Sequence, residues 1–354
     1  MPGANRFSDW FDGRLEPWDL SPDAPLRYPD LRYFAHVMRE LDALLPDAGL
    51  HVVATTDLVG PLPVSGRDVV VLCLGDEFAV PPHYAHEVGL VAKTTGGRRR
   101  RPFVALWPPP RWREAPMALA QEVVVQARRA PWMIRDLATT ARRAKAAQIV
   151  DLPIGVRAYE EVRAVPFEER RHDVAFAGSV VNDAHEHERR WASQKLRARR
   201  AFLDEVQRLQ RDRPDLSLWL RVVPTHWDGA WATESYAQAL ADSRIALCPR
   251  GSAVETYRYF EALRSGCVPL YEALPHRDYY DGAPGIRVRD WSRLRDVVDA
   301  LLADPQRLRE QHEAALQWYE RWASPPAVAR RIAARLGAAT TSATPAPTPL
   351  RRRR

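Results

Sequence analysis

The sequence predicts an α/β protein of two Rossmann-like domains facing a central cleft, and three stretches carry that expectation. Residues 243–272 read as strand, loop, helix, turn and strand in quick succession. The apolar run Ile245, Ala246, Leu247, Cys248 stops at Pro249, and Gly266 ends the helix before a second run begins at Val268. Such a βαβ unit brings its two strands together in parallel. Residues 69–74, an unbroken apolar run, suit a central strand covered on both faces. Residues 174–177, after Asp173, are a third apolar run, leading straight into Gly178 and Ser179. A chain of 354 residues is long enough for two separate cores.

The remaining elements fall into place along the chain. Residues 1–29 are rich in Pro and Asp, and Trp10, Phe11 and Trp18 suggest an arm packed on the surface. Leu31, Phe34, Met38, Leu41 and Leu45 recur at helical spacing. Strands are predicted at residues 51–55, 69–74, 88–93 and 102–107, the last two separated by a Gly-Gly-Arg-rich loop. A helix broken at Pro131 spans residues 115–147, and a strand with a loop follows over 148–156. Residues 158–171 are charged, lack an apolar period and read as a linker. Beyond it come helices at 191–211 and 235–242, with a strand at 216–223 between them. Helices at 294–302, 306–322 and 328–336 close the fold, and the Ala, Thr, Ser and Pro of 338–350 predict a disordered tail. The organisation expected is therefore an arm (1–29), a first domain (30–160), a linker (161–171), a second domain (172–325), a closing helix (326–337) and a basic tail (338–354).

Charge and composition narrow the function. No apolar run approaches the ~18 residues of a membrane span, and the first residues lack the apolar core of a secretory signal, so the expected location is cytoplasmic. Cys73, Cys248 and Cys267 sit in apolar runs and read as buried, reduced thiols. No Cys-x-x-Cys or matched His pair is present, so no metal site is expected; His185 and His187 lie in a charged run and read as a solvated helix start. The net charge of +7 is concentrated at residues 98–101, 197–200 and 351–354. Such clusters attract nucleotides, anionic lipids or nucleic acid alike. No nucleic-acid recognition motif accompanies them, so no specific nucleic-acid partner is expected. The tail cluster suits a peripheral contact with an anionic membrane.

Two local patterns carry chemistry. In the central unit, Ser252 and Glu255 have capping-box spacing, and Glu255, Arg258 and Glu261 then share a helical arc about 120° wide. That arc is either a solvated face with i,i+3 ion pairs or a set of groups beside the carboxyl end of a strand, where open α/β sheets bind ligands. In the second pattern, Gly178 and Ser179 end a strand before a helix holding Lys195, Arg197, Arg199 and Arg200. Backbone N–H groups and cations so placed make a diphosphate cradle; the alternative is a plain turn before a surface-basic helix.

The order of residues in the central unit resembles a known family. Pro249-x-Gly251, then Thr256-x-Arg258-x-x-Glu261-Ala262, then Gly266-Cys267-Val268-Pro269, with Asp290-Trp291-Ser292 downstream, is similar to the carboxy-terminal half of exostosin-like glycosyltransferases over residues 236–320. α1,3-Fucosyltransferases share part of the pattern. The animal exostosins are membrane-anchored, and this chain is closer to a soluble, bacterial-type member. The resemblance implies the GT-B fold, with the acceptor on the first domain and the donor on the second. It also implies a UDP- or GDP-sugar as substrate, no tightly bound cofactor, and no metal, since cations and helix N-termini hold the leaving diphosphate. The acceptor would be a glycan, lipid-linked or small-molecule hydroxyl, as in polysaccharide biosynthesis. The last helix would pack back across the first domain.

The expected donor-binding residues are Gly178, Ser179, Lys195, Arg199, Arg250, Gly251, Ser252, Glu255, Thr256, Arg258 and Glu261. Glu261 takes the ribose hydroxyls by its match to the family's acid. Retaining relatives carry a second Glu eight residues earlier, where this chain has Ala253, so Glu255 is out of register. Asp76 and Glu77 follow the central strand of the first domain and are the candidate bases for an inverting transfer, or else cap the next turn. A fucosyltransferase-like enzyme using GDP-fucose and a non-catalytic nucleotide-sugar binder remain the alternatives.

Overall fold

The computed structural model of the chain describes residues 3–28, 31–58, 60–74, 81–94, 148–157, 162–181, 194–225, 234–251, 255–275 and 277–342. Its architecture is α/β, with two largely parallel sheets. The first contains β1 (Arg6–Phe11), β2 (Arg14–Pro17), β3 (His51–Thr55), β4 (Gly66–Cys73), β5 (Val88–Thr94) and β6 (Ile149–Leu152) in the order β2-β1-β3-β4-β5-β6. All neighbours run parallel except β1 and β2. The helix α1 (Leu31–Leu44) buries Leu31, Phe34, Met38 and Leu41 on this sheet, as their spacing predicts.

The second sheet contains β7 (His172–Val181), β8 (Leu218–Thr225), β9 (Ser243–Cys248), β10 (Val268–Tyr271) and β11 (Ile286–Arg287), all parallel, in the order β11-β10-β9-β7-β8. Its helices are α2 (Gln194–Asp212) between β7 and β8, α3 (Glu234–Ala241) between β8 and β9, and α4 (Tyr257–Arg264) between β9 and β10. Then come α5 (Leu294–Leu302), α6 (Pro305–Trp322) and α7 (Pro325–Ser342). Side chains alternate across β7: Val174 and Phe176 join the core with Phe202, Trp291 and Val298, while Ala175 and Ala177 face Tyr236, Cys248 and Cys267.

One core cluster takes in residues of both halves. Leu31, Phe34 and Met38 of α1 pack with Val328, Ala329 and Ile332 of α7, and the same cluster holds Tyr259, Phe260 and Trp318. Polar contacts follow it: Tyr33 Oη donates to the Ala323 carbonyl at 2.6 Å, and Arg331 Nε to the Asp151 carbonyl at 2.9 Å. The last helix therefore packs across α1 and the end of β6. Arg170, buried in the connecting segment, donates to the carbonyls of Ser243 (2.7 Å) and Ser265 (2.7 Å), so it ties the start of β9 to the end of α4.

Two expectations need correction. The stretch read as a surface arm pairs into the first sheet as β1 and β2. Asp12 (φ 53°) and Gly13 (φ 72°) make its two-residue hairpin turn, with both φ positive as a type I′ turn requires. The tail read as disordered from residue 338 is helical as far as Ser342, where Ala and other tolerated residues continue α7. The predicted strand at 102–107, the helix at 115–147, the arginine clusters at 98–101 and 351–354, and His185 and His187 lie outside the described residues. No helix among the described residues is long and apolar enough to cross a membrane.

Candidate functional site

The order of the second sheet creates a crevice at one place. From β7 the chain crosses by α2 to β8 on one side, whereas from β9 it crosses by α4 to β10 on the other. Between β7 and β9 the connections diverge, and open α/β sheets bind ligands outside the carboxyl ends of strands at such a point. The two strands also part there. Their pairing ends at Ala175 with Ala246, while β7 stays paired with β8 as far as Val181.

Arg258 reaches into this gap from the first turn of α4. Its Nε donates to the Ala177 carbonyl, two residues past the last pair that β7 makes with β9. Its guanidinium lies 5.5 Å from the Phe176 ring, within cation–π range. A Cβ on Gly178 would come within 2.2 Å of Arg258 Nη2, so the guanidinium occupies space that only glycine leaves open. Among the described residues neither terminal nitrogen of Arg258 has a hydrogen-bond partner, and the side chain is only half-buried. Ser179 follows in β7 and is buried.

Arg199 is turned inward. The sequence placed it among the donor-binding cations of a diphosphate cradle, with a surface-basic helix as the alternative, yet it is 1% exposed. Its Nε donates to the Arg250 carbonyl at 2.7 Å and its Nη2 to the Pro249 carbonyl at 3.1 Å. The sequence does hold the signal. Arg199 precedes Phe202, Val206 and Leu209 at helical spacing, and those three form the buried stripe of α2. Burial holds the Arg199 guanidinium well below the usual arginine range, with Arg258 pushing the same way and Glu272 opposing.

Glu272 went unnoticed in the sequence. It follows β10, is buried, and accepts a 2.6 Å bond from the Trp291 indole, which packs edge-on to Phe202. Burial raises its carboxyl above the ordinary value, against the pull of Trp291, Arg250 and Arg199. The Asp-Trp-Ser block thus acts locally: Asp290 accepts from the Ser292 amide at 2.9 Å, and Trp291 holds Glu272.

The two glutamates of the central unit differ from their expected arrangement. The helix α4 begins at Tyr257, with Thr256 as an extended N-cap making no side-chain cap bond. Glu255 therefore precedes the helix and does not share an arc with Arg258 and Glu261. Its carboxylate enters the core instead of capping, accepting from Tyr280 Oη at 2.6 Å, with Tyr279 Oη at 3.3 Å. Tyr279 Oη is also 3.1 Å from the Leu152 carbonyl at the end of the first sheet. Glu261 is buried on α4; Tyr236 Oη donates to its Oε2 at 2.8 Å and the Arg157 amide to its Oε1 at 3.3 Å. Tyr236 was not anticipated either. The helix ends as predicted at Gly266 (φ 66°), where the amides of Gly266 and Cys267 return to Leu263 and Ala262.

The crevice thus brings together Gly178, Ser179, Arg258 and, through the loop after β9, Arg199, Arg250 and Gly251. Glu255 stands apart from them at the junction with β6. Ser252, Asp76 and Glu77 lie outside the described residues, as does the side chain of Lys195 in the first turn of α2. Among the described residues no group of three or more His, Cys, Asp or Glu is placed to hold a metal ion.

Comparison with known proteins finds similarity in structure along most of the chain and a family-model match within this half. Several solved structures are similar at low identity, with TM-scores below 0.5. The GtfA/B complex has a TM-score of 0.43 at 12% identity, covering 94% of this chain and 64% of that one. AviGT4, a glycosyltransferase of avilamycin A biosynthesis, has 0.37 at 14%, covering 91% and 93%. Anabaena Alr3699/HepE in complex with UDP has 0.39 at 11%, covering 86% and 77%. In sequence, 101 residues are 34% identical to ribitol-5-phosphate xylosyltransferase 1 of Danio rerio, covering 25% of this chain and 23% of that protein. Against the Homo sapiens protein of the same name the identity is 29% over 132 residues, covering 32% and 30%. The chain matches about a quarter to a third of the length of these curated relatives. Residues 217–325, which contain Arg250, Gly251, Arg258, Glu261, Glu272 and Trp291, match the family model described as the RXYLT1 C-terminal domain.

Proposed function

We propose that the chain is a glycosyltransferase of the GT-B type that takes its sugar from a nucleoside-diphosphate donor, with the donor diphosphate in the crevice between β7 and β9. One observation carries the reading: Arg258 is fixed by Nε to the Ala177 carbonyl, and among the described residues its two terminal nitrogens have no partner. A guanidinium held at one edge and free at the other two is prepared for a bidentate bond to phosphate oxygens. Gly178 lets that group lie on the strand end, and the Gly251 amide lies in the loop just before α4.

In this reading Glu261 faces the donor ribose, and the bonds from Tyr236 and Arg157 leave its carboxylate with lone pairs to spare. In the transfer, the acceptor hydroxyl oxygen bonds to the anomeric carbon as the bond from that carbon to the diphosphate breaks. The diphosphate leaves with the electron pair, toward Arg258, and the hydroxyl proton passes to a base, for which Asp76 and Glu77 are the candidates. The acceptor is a glycan, lipid-linked or small-molecule hydroxyl. The two relatives similar in sequence are named ribitol-5-phosphate xylosyltransferase 1, which makes a pentose, xylose, the first sugar to test. The exostosin-like pattern at residues 236–320 lies within the segment that matches the family model, residues 217–325.

The test is calorimetric titration of UDP and of GDP into the wild type and Arg258→Ala, with folding checked by circular dichroism. Loss of one charged partner in a part-buried site should weaken the bound diphosphate by roughly 10- to 150-fold. A folded Arg258→Ala that binds like wild type would move the donor elsewhere. With UDP-xylose, UDP-glucose and GDP-fucose compared as donors, Asp76→Asn or Glu77→Gln should lower kcat ~100-fold with donor binding intact. Unchanged turnover in both removes them as bases.

A further inference from the structure

The loop of residues 249–256 links β9 to α4 and is held at both ends by buried side chains from other elements. At its start, Arg199 of α2 takes two consecutive carbonyls, Pro249 at 3.1 Å and Arg250 at 2.7 Å. At its end, Glu255 is held by Tyr280 at 2.6 Å. A guanidinium that is 1% exposed normally requires a carboxylate partner, because burying an unpaired charge is expensive. Here, among the described residues, no carboxylate lies within ion-pair distance of Arg199, and its Nη1 is buried without a hydrogen-bond partner. The side chain is committed to main-chain carbonyls.

Peptide geometry gives that commitment a consequence. In a planar trans peptide the C=O of one residue and the N–H of the next point in opposite directions. Holding the Arg250 carbonyl inward toward Arg199 therefore turns the Gly251 N–H away from the α2 side. We infer that Arg199 is a positioning residue: it fixes the Gly251 amide toward the anion site and does not itself touch the ligand. Phe176 supports this arrangement, since the guanidiniums of Arg199 and Arg258 lie 5.6 and 5.5 Å from its ring. Two elements that bear on the anion, the loop amide and Arg258, are thereby referenced to one aromatic ring on β7. The inference rests on the donor-diphosphate reading above and assigns Arg199 a part in it different from direct contact.

The experiment compares a nucleoside diphosphate with its nucleoside. Arg199→Met removes the fork and keeps the buried stem; Arg199→Lys keeps the charge and one donor but cannot hold two carbonyls at once. Both are titrated with UDP and uridine (or GDP and guanosine, whichever the wild type binds), and thermal melting reports folding. Expected is about a tenfold or larger loss of diphosphate affinity in Arg199→Met, a smaller loss in Arg199→Lys, and nucleoside affinity within about twofold of wild type. A merely structural residue would weaken nucleoside and diphosphate alike, and that result overturns the inference. So does wild-type diphosphate affinity in either folded variant. If Arg199→Met does not fold, Arg199→Lys carries the comparison. Failure of the wild type to bind any diphosphate sinks the donor reading itself. Loss of binding in Arg258→Ala but not in the Arg199 variants sinks this inference alone.

Discussion

At the scale of single residues, two glycines show how a missing side chain serves different ends. A methyl group on Gly178 would lie 2.2 Å from Arg258 Nη2, the far end of a flexible side chain. Gly178→Ala should therefore fold with a stability change under ~1 kcal/mol, because Arg258 can swing out, yet lose diphosphate affinity nearly as Arg258→Ala does. Melting and titration on one preparation check both halves of that statement, and unchanged affinity would deny Gly178 its part. Gly155 is the opposite case: its φ is 75°, and a Cβ would meet the ring of fully buried Tyr33 at 2.2 Å. Gly155→Ala should cost about 2–4 kcal/mol through left-handed strain and overpacking. The strand running into Gly178 and Ser179 was legible in the sequence as a local pattern, although β7 does not end there but continues to Val181. What occupies the space that Gly178 leaves was not, since Arg258 lies 80 positions along the chain. Arg199 could have been read as buried from its stripe with Phe202 and Val206, but a residue's charge argues for the surface more loudly than its register argues for the core.

At the scale of elements, regular helices were the most legible. The apolar period of residues 294–302 coincides with α5, and Gly266 ends α4 where it should. The boundaries that failed did so where a side chain found a distant partner. Glu255 has the spacing of a capping box, but two tyrosine hydroxyls about 25 residues away take its carboxylate, and α4 starts late. The Asp12-Gly13 turn was a local signal for a hairpin that the Trp- and Pro-rich composition around it obscured. The altered place of Glu255 has a consequence for pH. Burial raises its carboxyl above the ordinary value of 4.5; Tyr280, Arg277 and Tyr279 pull it down and Asp151 pushes it up. A carboxyl with a raised folded value contributes stability that is complete below the unfolded value and is lost as pH rises through the folded one. Glu255→Gln keeps an acceptor for Tyr280 and cannot ionise. It should melt above wild type near pH 8, with the advantage shrinking toward about pH 4. An offset between the two proteins that stays constant with pH would show that Glu255 does not titrate in this way.

At the scale of the whole molecule, the question is whether the two sheets form two independent bodies or one. Chain length and the spacing of apolar runs led to an expectation of two cores, and alternation along the strands accounts for each sheet's own layer. The composition of the shared cluster could not be read, because it joins α1, α4, α6 and α7, elements separated by up to 300 residues, and periodicity reports which face of a helix is apolar but not what covers it. Val328, Ala329 and Ile332 of α7 are fully buried against Leu31, Phe34 and Met38, and Arg331 reaches both the Asp151 carbonyl and, at 2.7 Å, both carboxylate oxygens of Asp278. Asp278 immediately precedes Tyr279, whose hydroxyl lies between Leu152 and Glu255. The last helix thus braces the junction on which the end of the 249–256 loop rests. Full burial of each large aliphatic residue contributes about 1.5–3 kcal/mol, and removing α7 exposes the residues beneath as well, a loss comparable to the ~5–15 kcal/mol that holds a domain folded. A chain stopped after Ser342 should melt as the full chain does, because α7 is intact. A chain stopped after Ser324 should lose cooperative folding of both sheets, including the second, which keeps all its own strands. Differential scanning calorimetry of the full chain should accordingly give one transition, with calorimetric and van't Hoff enthalpies equal. Two separate transitions, or a chain ending at Ser324 that still binds a nucleoside diphosphate, would mean that the second sheet stands alone and that α7 only decorates the first.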